Sequence, residues 1–400
     1  MRVCLASIHP RMLSGQIESL IALRDGLEQR GHQVQIISAF RSDQLRRGER
    51  WTLDTGDGLA LAPKIVRIGS IVRRIAAAAR SCDVLHFNVP TPAFGGLADL
   101  IQVVSGRPVV VGFEAHLADV RATASRLWAA PEFYGPRLVV NNGLVARLTL
   151  RRATRYVVSS QFQQRELLQI GYQGKQISII PNLIDEHKLQ RWDQAEARQL
   201  LGLPAGPLVA FVGHYHDVKG HDVLIGAFRG VLREVPEARL VLAWSGIGHQ
   251  DRVHAAIAAA GIQDRVIELG RLDVGKLFSA ADVVALPYRF TIGQAAFPGT
   301  VIEAMWVGVP LVTSNLPLLA ELSGNGMTAL LAEPGSPAQL ANCITRLLRE
   351  PELAGSLVTA QREAMTKQFG VEARIDDYVA VYREAISGQA QLLQPARRQR

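Results

Sequence analysis

The sequence predicts an α/β protein of two doubly wound domains, each a parallel sheet with helices on both faces. Short apolar runs alternate with segments of helical periodicity, which is the pattern of such sheets. The alternation begins at RVCLASI (2–8), breaks at LPAGP (203–207) and restarts at PLVAFVG (207–213). The length of 400 residues also suits two domains better than one. Because ligands of open parallel sheets bind at the carboxyl ends of the strands, we expect a site in the loops after strands, between the two halves.

The same patterns predict the individual elements. A helix is expected over 16–30, where apolar residues recur at helical spacing, and another over 221–235. The other predicted strands of the first half are QVQIISA (33–39), DVLHFN (83–88), PVVVGFE (108–114), YVVSS (156–160) and ISIIPN (177–182). Those of the second half are ARLVLAWS (238–245), RVIELG (265–270), VVALPY (283–288), PLVTSN (310–315) and MTALLAEP (327–334).

Composition excludes several classes of protein. Apolar residues make up 48% of the chain and charged residues 20%, which is typical of a globular protein. The sequence contains no run of eighteen apolar residues, so no transmembrane helix is predicted. The N-terminal segment lacks the long apolar core of a signal peptide. The three cysteines lack metal-type spacing, so we expect reduced thiols in a cytoplasmic protein.

The charge is concentrated in the first half. Residues 1–200 hold 26 Lys and Arg against 17 Asp and Glu, whereas residues 201–400 hold 18 against 19. This excess indicates an anionic partner of the first half, such as lipid headgroups, a phosphorylated substrate or nucleic acid. The basic segment KIVRIGSIVRRIAAAAR (64–80) is typical either of a helix on an anionic membrane or of an amphipathic helix docked on the sheet, and docking is favoured. Nucleic acid is disfavoured, since no recognition module accompanies the charge.

Loops after three predicted strands carry candidate functional residues. GHYHDVKG (213–220) places Lys219 just before a helix. Lys219 is interpreted either as a phosphate-binding residue or as a solvated lysine on a turn, and the spacing does not decide between the two interpretations. In GFEAH (112–116), Glu114 and His116 end a strand, and a structural role is favoured. Gly15 in LSGQIESL (13–20) lies between the first strand and helix, where glycine permits close approach of a ligand. No GxGxxG or P-loop spacing is present.

The segment FPGTVIEAMWVG (297–308) allows two interpretations of Glu303. Thr300 and Glu303 have the T-x-x-E spacing of a capping box ahead of an apolar helix. Alternatively, the Glu303 carboxylate accepts hydrogen bonds from a diol such as a ribose. Spacing alone favours the cap.

The loops in their order resemble a known family. SGQIESLIALRDGLEQRGHQVQII, DVLHFN, VVVGFEAH, YVVSSQFQQRELLQIGY, ISIIPNLID, AFVGHYHDVKGHDVLIGAF, RVIELGRLDVGKLFSAADVVALPY and FPGTVIEAMWVGVPLVTS follow one another along nearly the whole chain. Their series is similar to that of the retaining glycosyltransferases of family four, which have the GT-B fold of two Rossmann-like domains facing across a cleft. The resemblance implies an acceptor domain at 1–185 and a nucleotide-sugar domain at 186–370. A helix over 371–388 is expected to pack back on the first domain, and the tail 389–400 is expected to be disordered.

The resemblance also implies roles for individual residues. Lys219 would neutralise the diphosphate of a UDP- or GDP-linked sugar, Glu303 would accept the ribose hydroxyls, and His116 would face the sugar. The remaining implied donor contacts are Gly15 at the diphosphate, the backbone of Arg271 and Leu272 at the base, and Phe297, Pro298, Gly299 and Thr300 along the sugar and phosphate.

Three positions depart from the family pattern. His214 stands where the family usually has an arginine that pairs with the lysine, and Ser14 replaces the first of two glycines. The family's E-x7-E pair retains Glu303 but has Ala295 in place of its first glutamate. The neighbouring Gln294 is the expected substitute, with Thr291 as a second choice.

The implied function is a retaining sugar transfer to a hydroxyl acceptor, in polysaccharide or glycoconjugate biosynthesis. No metal or other cofactor is expected, because no DxD-type carboxylate pair stands out and the fold usually works without one. A saccharide or lipid-linked acceptor at the cytoplasmic face of the plasma membrane would fit the basic first half, and nucleic acid is not an expected partner. The alternatives are a noncatalytic GT-B protein that binds a nucleotide sugar or a partner enzyme, and, less favoured, an epimerase or phosphorylase.

Overall fold

The computed structural model describes residues 1–7, 15–38, 64–89, 94–113, 153–181, 183, 189–290 and 298–393. These residues form two compact units, each built on one parallel sheet. The second unit draws its described residues from between 189 and 370, and the first unit combines the earlier residues with the last helix.

The first sheet has the strand order β2-β1-β3-β4-β5-β6, with every described pair parallel. Its strands are β1 (Arg2–Ser7), β2 (Gln33–Ser38), β3 (Val84–Val89), β4 (Val109–Phe113), β5 (Arg155–Val158) and β6 (Ile177–Ile179). The chain moves from β1 outward to β2 and then returns to the other side of β1, so the direction of winding reverses between β1 and β3. All six strands agree with the predicted ones to within three residues at each end.

The helices of the first unit flank this sheet. They include α1 (Gly15–Gln29), α2 (Lys64–Ala79), α3 (Gly95–Ser105) and α4 (Gln161–Gln169). On α2, Val72 and Ile75 are buried in a core with Leu85 of β3. The interpretation of segment 64–80 as a helix docked on the sheet is therefore confirmed for these residues, whose apolar face is not available to a membrane.

The second sheet repeats the same winding with the order β12-β11-β10-β7-β8-β9. Its strands are β7 (Leu208–Tyr215), β8 (Arg239–Gly248), β9 (Val266–Leu269), β10 (Val283–Leu286), β11 (Leu311–Ser314) and β12 (Leu330–Ala332). Its helices are α5 (Gln194–Leu201), α6 (His221–Glu234), α7 (Gln250–Ala260), α8 (Val274–Ala280), α9 (Gly299–Val307), α10 (Pro317–Leu322), α11 (Pro337–Arg349) and α12 (Pro351–Gln368). Here the winding reverses between β7 and β10, which are neighbours in the sheet but far apart in sequence.

The last helix, α13 (Val371–Leu393), belongs to the first unit and packs on α1, β3 and β4. The expectation that the helix ends at 388 and a disordered tail begins at 389 is wrong for 389–393, which continue the helix. The physical reason is composition, since QAQLL consists of good helix formers. The rest of the predicted tail, 394–400, lies outside the described residues.

A buried hydrogen-bond chain fixes α13 to the first sheet. Tyr382 Oη of α13 lies 2.6 Å from Nδ1 of His86, and His86 Nε2 lies 2.8 Å from Oδ1 of Asn88. Because a carboxamide oxygen only accepts, this arrangement assigns the ring proton to Nε2, and Tyr382 donates to Nδ1. Burial lowers the pKa of His86 to about 4, so the imidazole is neutral near pH 7.

Among the described residues, no helix is long and apolar enough to cross a membrane.

Acidification should destabilise the protein through His86. Its folded-state pKa of about 4 lies below the ordinary 6.5, so the unfolded chain binds more protons between these values. The contribution of His86 to the free energy of unfolding is complete above pH 6.5. It is lost as the pH falls toward 4, at no more than about 1.4 kcal/mol per pH unit. Urea unfolding of the wild type and His86→Gln at pH 7, 6 and 5 measures this effect. The difference between their free energies of unfolding should shrink with falling pH, and a constant difference would contradict the assignment.

Candidate functional site

The loops that carry the predicted residues of the second unit meet at the carboxyl edge of its sheet. Lys219 follows β7, and the loop after β10 leads to α9 with Thr300 and Glu303. Because β7 and β10 are adjacent and the winding reverses between them, this edge is the place where a ligand of such a sheet is expected to bind. The prediction of a site in loops after strands is therefore consistent with the position of Lys219 and α9.

The segment after β7 turns sharply into α6. Strand β7 runs to Tyr215, with an irregular register between Gly213 and Tyr215, so His214 lies within the strand and not in the loop that the sequence predicts. The backbone pairing of Tyr215 with Gly248 of β8 holds this extension in place. A 3₁₀ turn, Asp217–Lys219, follows, and Gly220 caps α6 in the left-handed conformation at φ 70°.

Lys219 is a desolvated cation. Its side chain is half-buried, and desolvation lowers the pKa of its ammonium from 10.5 to about 8. The Nζ atom lies 4.6 Å from the centre of the Tyr288 ring, within the range of a cation–π interaction. Within the described part of the chain, no carboxylate forms an ion pair with it. This environment favours the anion-binding interpretation of Lys219 over that of a solvated lysine on a turn.

The loops after β7 and β10 are locked to each other. Arg289 donates its backbone N–H to the carbonyl of Val218 at 3.0 Å, and its guanidinium pairs with Asp222 of α6 at 2.7 Å. Gly220 packs directly against the carbonyl of Pro287, where a Cβ atom would overlap that oxygen. Position 220 therefore requires glycine for its conformation and for the close approach of the two loops.

Helix α9 presents its N-terminus at the same place. Pro298 is its N-cap residue, and no side chain of the described residues caps the helix. The predicted capping box is wrong, because the helix already begins at Gly299 and Thr300 is its second residue. The Thr300 hydroxyl lies instead 2.7 Å from the Tyr288 hydroxyl. An N-terminus without a side-chain cap leaves its first backbone N–H groups to a ligand.

Tyr288 connects these groups, although it was not among the site residues predicted from the sequence. Its side chain is 1% exposed, with its ring at Lys219 and its hydroxyl at Thr300. Burial raises the pKa of its phenol, and the half-buried Glu303 carboxylate raises it further, so Glu303 and Tyr288 are electrostatic neighbours. The available signal was its position as the first side chain after the apolar run VVALP (283–287), at the end of a strand.

Three histidines extend this edge of the sheet toward β8. The His216 ring lies 6.2 Å from that of His214 and 6.0 Å from that of His249, which follows β8. Of the three, only His214 was predicted from the sequence, because no local pattern links His216 to the distant His249. Among the described residues, no group of three His, Cys, Asp or Glu has a geometry that could hold a metal ion.

The other predicted residues divide into two sets. Arg271 and Leu272 lie between β9 and α8 at the same edge of the second sheet, two strands from β7, and Arg271 is exposed. Gly15, which was predicted in the loop before the first helix, is instead the first residue of α1. The remaining candidates lie outside the described residues and stay predictions: Glu114, His116, Thr291, Gln294, Ala295 and Phe297.

Comparison with known proteins identifies the family. A family model described as "Glycosyltransferase Family 4" matches residues 13–188, and one described as "Glycosyl transferases group 1" matches residues 206–350. Together they match most of the chain, with residues in both units. The chain belongs to glycosyltransferase family four.

Relatives of this family-four chain cover it to different extents. It is 29% identical over 262 residues to the D-inositol 3-phosphate glycosyltransferase of Segniliparus rotundus, a match of 64% of this chain and 56% of that protein. It is 28% identical over 316 residues to the 2-deoxystreptamine glucosyltransferase of Streptomyces kanamyceticus, with 74% and 78% covered. The chain thus spans little more than half the length of the first of these relatives.

A solved structure confirms the fold. The structure of Anabaena Alr3699/HepE in complex with UDP superposes with a TM-score of 0.70 at 21% identity, covering 95% of this chain and 98% of that one. The predicted GT-B fold, with its two parallel six-stranded sheets, is therefore confirmed for this family-four member.

Replacing Gly220 by alanine should disrupt the locked loops. The new Cβ atom would overlap the Pro287 carbonyl, and the positive φ would add a cost of about 1–2 kcal/mol. Gly261→Ala is the matched control, because Gly261 has φ 64° but no atom would lie within 4 Å of its new Cβ atom. Urea unfolding should show a larger loss of stability for Gly220→Ala. Equal losses in the two variants would show that the close approach to Pro287 is unimportant.

Proposed function

We propose that the protein is a retaining glycosyltransferase that moves a sugar from a nucleotide-diphosphate sugar to a hydroxyl acceptor, in polysaccharide or glycoconjugate biosynthesis. The observation that carries the proposal is Lys219. A desolvated ammonium without a carboxylate partner in the described chain lies after β7, where the winding reverses between β7 and β10, close to the start of α9. Such a position stabilises a bound diphosphate.

The reaction follows from the charge of the leaving group. As the bond between the sugar and the diphosphate oxygen breaks, negative charge grows on the nucleotide diphosphate. Lys219 and the first N–H groups of α9 then interact more strongly with the transition state than with the ground state, which accelerates the reaction. In the retaining reaction proposed here, the acceptor hydroxyl attacks the face from which the diphosphate departs, and the departing phosphate oxygen takes its proton.

The donor is proposed to lie along the carboxyl edge of the second sheet. Glu303 accepts the ribose hydroxyls, and the backbone of Arg271 and Leu272 meets the base. Pro298, Gly299 and Thr300 line the sugar and phosphate together with Phe297, and Gln294 compensates for Ala295. Gly15 is proposed to contact the diphosphate and His116 the sugar. A UDP-linked donor is favoured over a GDP-linked one, because the similar Anabaena structure holds UDP.

No metal or other cofactor is proposed for this reaction. The positive charge that a metal would supply comes instead from Lys219, helped by the imidazole of His214 when it is protonated. The noncatalytic alternative is not favoured, because the similar curated proteins are named as transferases.

Nucleotide release tests this function. The protein is incubated with UDP-, GDP- and ADP-sugars in turn, together with an acceptor extract, and the freed nucleotide is measured. One donor should be consumed, and Lys219→Met should lower the rate about 100-fold or more, by analogy with the loss of one transition-state donor. Lys276→Met is the matched control, because Lys276 also lies 4.6 Å from a ring, that of Trp192. Equal rates in both variants would refute the assignment of Lys219, and binding without turnover would favour the noncatalytic alternative.

Donor affinity should fall as the pH rises past about 8. The diphosphate binds the charged form of Lys219, whose pKa is lowered to about 8 by burial, so the charged fraction decreases above that pH. Above pH 8 the dissociation constant of the nucleotide should rise toward about tenfold per pH unit, as measured by calorimetry. Lys219→Arg should abolish this dependence, because arginine stays protonated. A wild-type affinity that is constant from pH 7 to 9.5 would contradict the role of Lys219.

Peripheral contact with an anionic membrane at the cytoplasmic face is also proposed, through the corner of α2 and α3. Leu100, Val103 and Val104 are 49%, 63% and 41% exposed and lie at helical spacing on one face of α3. Arg80 donates to the carbonyl of Val104 at 3.0 Å, and Arg107 donates to that of Arg80 at 2.8 Å, so two arginines border the apolar strip. An apolar strip with a basic rim fits an anionic lipid surface, and such a position would bring the protein to a lipid-linked acceptor.

Vesicle cosedimentation tests the membrane contact. Vesicles of phosphatidylcholine with phosphatidylglycerol should bind the protein, and pure phosphatidylcholine should bind it several-fold less. Val103→Asp should lower the bound fraction several-fold. Leu168→Asp is the control, because Leu168 is 43% exposed on a different helix, α4. Equal binding of both variants would refute this surface.

A further inference from the structure

Tyr288 contacts both Lys219 and the start of α9. Its ring lies 4.6 Å from Lys219 Nζ, and its hydroxyl lies 2.7 Å from Thr300 Oγ1. Lys219 precedes α6, whereas Thr300 lies in the first turn of α9, so the two are 81 positions apart in the chain. A single buried ring therefore bridges the two elements that approach a diphosphate and a ribose in the proposed function.

The backbone holds this ring rigidly. The N–H of Tyr288 donates to the carbonyl of Leu286 at 3.0 Å, which turns the chain directly after β10. On its two sides, Pro287 packs against Gly220, and Arg289 is bonded to Val218. Because the neighbours on both sides are fixed to the turn that carries Lys219, and the Tyr288 side chain is buried, the ring is held next to that turn.

The phenol of Tyr288 does not serve as a base. Burial raises its pKa and Glu303 raises it further, so the hydroxyl stays protonated at any physiological pH. The described contacts of Tyr288 with these groups are therefore a hydrogen bond between its hydroxyl group and that of Thr300 and a ring contact with Lys219. Both are positional effects.

The neighbouring charged groups Asp222 and Arg289 do not take over the role of the Tyr288 ring at the Lys219 ammonium. Asp222 and Arg289 pair with each other at 2.7 Å, and the lowered pKa of the Lys219 ammonium is due to its burial. The other titratable groups at the end of β7, in the turn after it, at the start of α6 and on α9 are His214, Tyr215, His216, Asp217, His221 and Glu303. The ring face of Tyr288 is a described group in direct contact with the Lys219 ammonium, and this contact stabilises the charged form before a ligand arrives.

We propose that Tyr288 is a positioning residue that keeps the Lys219 ammonium charged and in place and couples it, through Thr300, to the first turn of α9. The coupling to donor binding rests on the proposed function, but the effect on Lys219 does not. Removing the ring should make Lys219 lose its proton more easily, whereas removing only the hydroxyl should leave its titration unchanged.

The titration of Lys219 can be measured without any substrate. Wild type, Tyr288→Phe and Tyr288→Leu are treated briefly with acetic anhydride from pH 6 to 10, and acetylation of Lys219 is quantified by mass spectrometry. The midpoint should fall by about half a pH unit or more in Tyr288→Leu and stay unchanged in Tyr288→Phe, which keeps the ring. Equal midpoints in all three proteins, or a rise in Tyr288→Leu, would overturn the proposal.

Lys276 is the internal reference for this experiment. Its ammonium lies over the Trp192 ring at the same 4.6 Å, on the separate helix α8. Its acetylation should be the same in all three proteins, which excludes a general loosening of the fold. A parallel change at Lys276 in Tyr288→Leu would mean that the variant acts by unfolding, and it would count against a specific contact.

The coupling through Thr300 has a separate test in the donor reaction. Tyr288→Phe and Thr300→Val each remove the same hydrogen bond, so each should raise the KM for the donor by a similar factor, and the double variant should be no worse than either. If the KM of the double variant rises by the product of the two single factors, the coupling is overturned. If the labelling result holds while no donor is turned over, the proposed function fails and the role of Tyr288 at Lys219 stands.

Discussion

The close approach of the loops after β7 and β10 is the constraint on which the candidate site depends. Gly220 lies against the Pro287 carbonyl, and Arg289 bonds to Val218, so the two loops form one rigid turn at the place where the sheet reverses its winding. Any side chain at 220 would separate them. The rigidity places the Lys219 ammonium over the Tyr288 ring without a carboxylate from the described chain to neutralise it.

A desolvated cation such as Lys219 favours the binding of an anion. Burial makes the charged form of Lys219 costly, as its pKa of about 8 indicates, and a bound diphosphate would remove that cost. The uncapped N-terminus of α9 adds partial positive charge, and Glu303 on its second turn adds an acceptor for hydroxyl groups. In the proposed function, these groups would distinguish a nucleotide sugar from a simple phosphate, because Lys219 attracts the charged diphosphate and Glu303 accepts hydrogen bonds from the ribose.

The sequence predicted the strands well, because each is a buried apolar run bounded by polar loops, and it predicted Lys219 at the start of α6. It was less successful where local rules compete with packing. Thr300 and Glu303 have the spacing of a capping box, but the hydroxyl of Thr300 bonds to Tyr288, and the helix already begins at Gly299. His214 looked like a loop residue, but pairing of Tyr215 with Gly248 lengthens β7.

The sequence by itself determined the alternation of strands and helices, the family and the residue types available for chemistry, since these depend on local pattern and order along the chain. Only the tertiary structure decided that Lys219 is desolvated, that Tyr288 joins it to Thr300, and that α13 returns to the first sheet through His86. Desolvation and ring contacts arise between segments far apart in sequence, and no local pattern encodes which of them will meet.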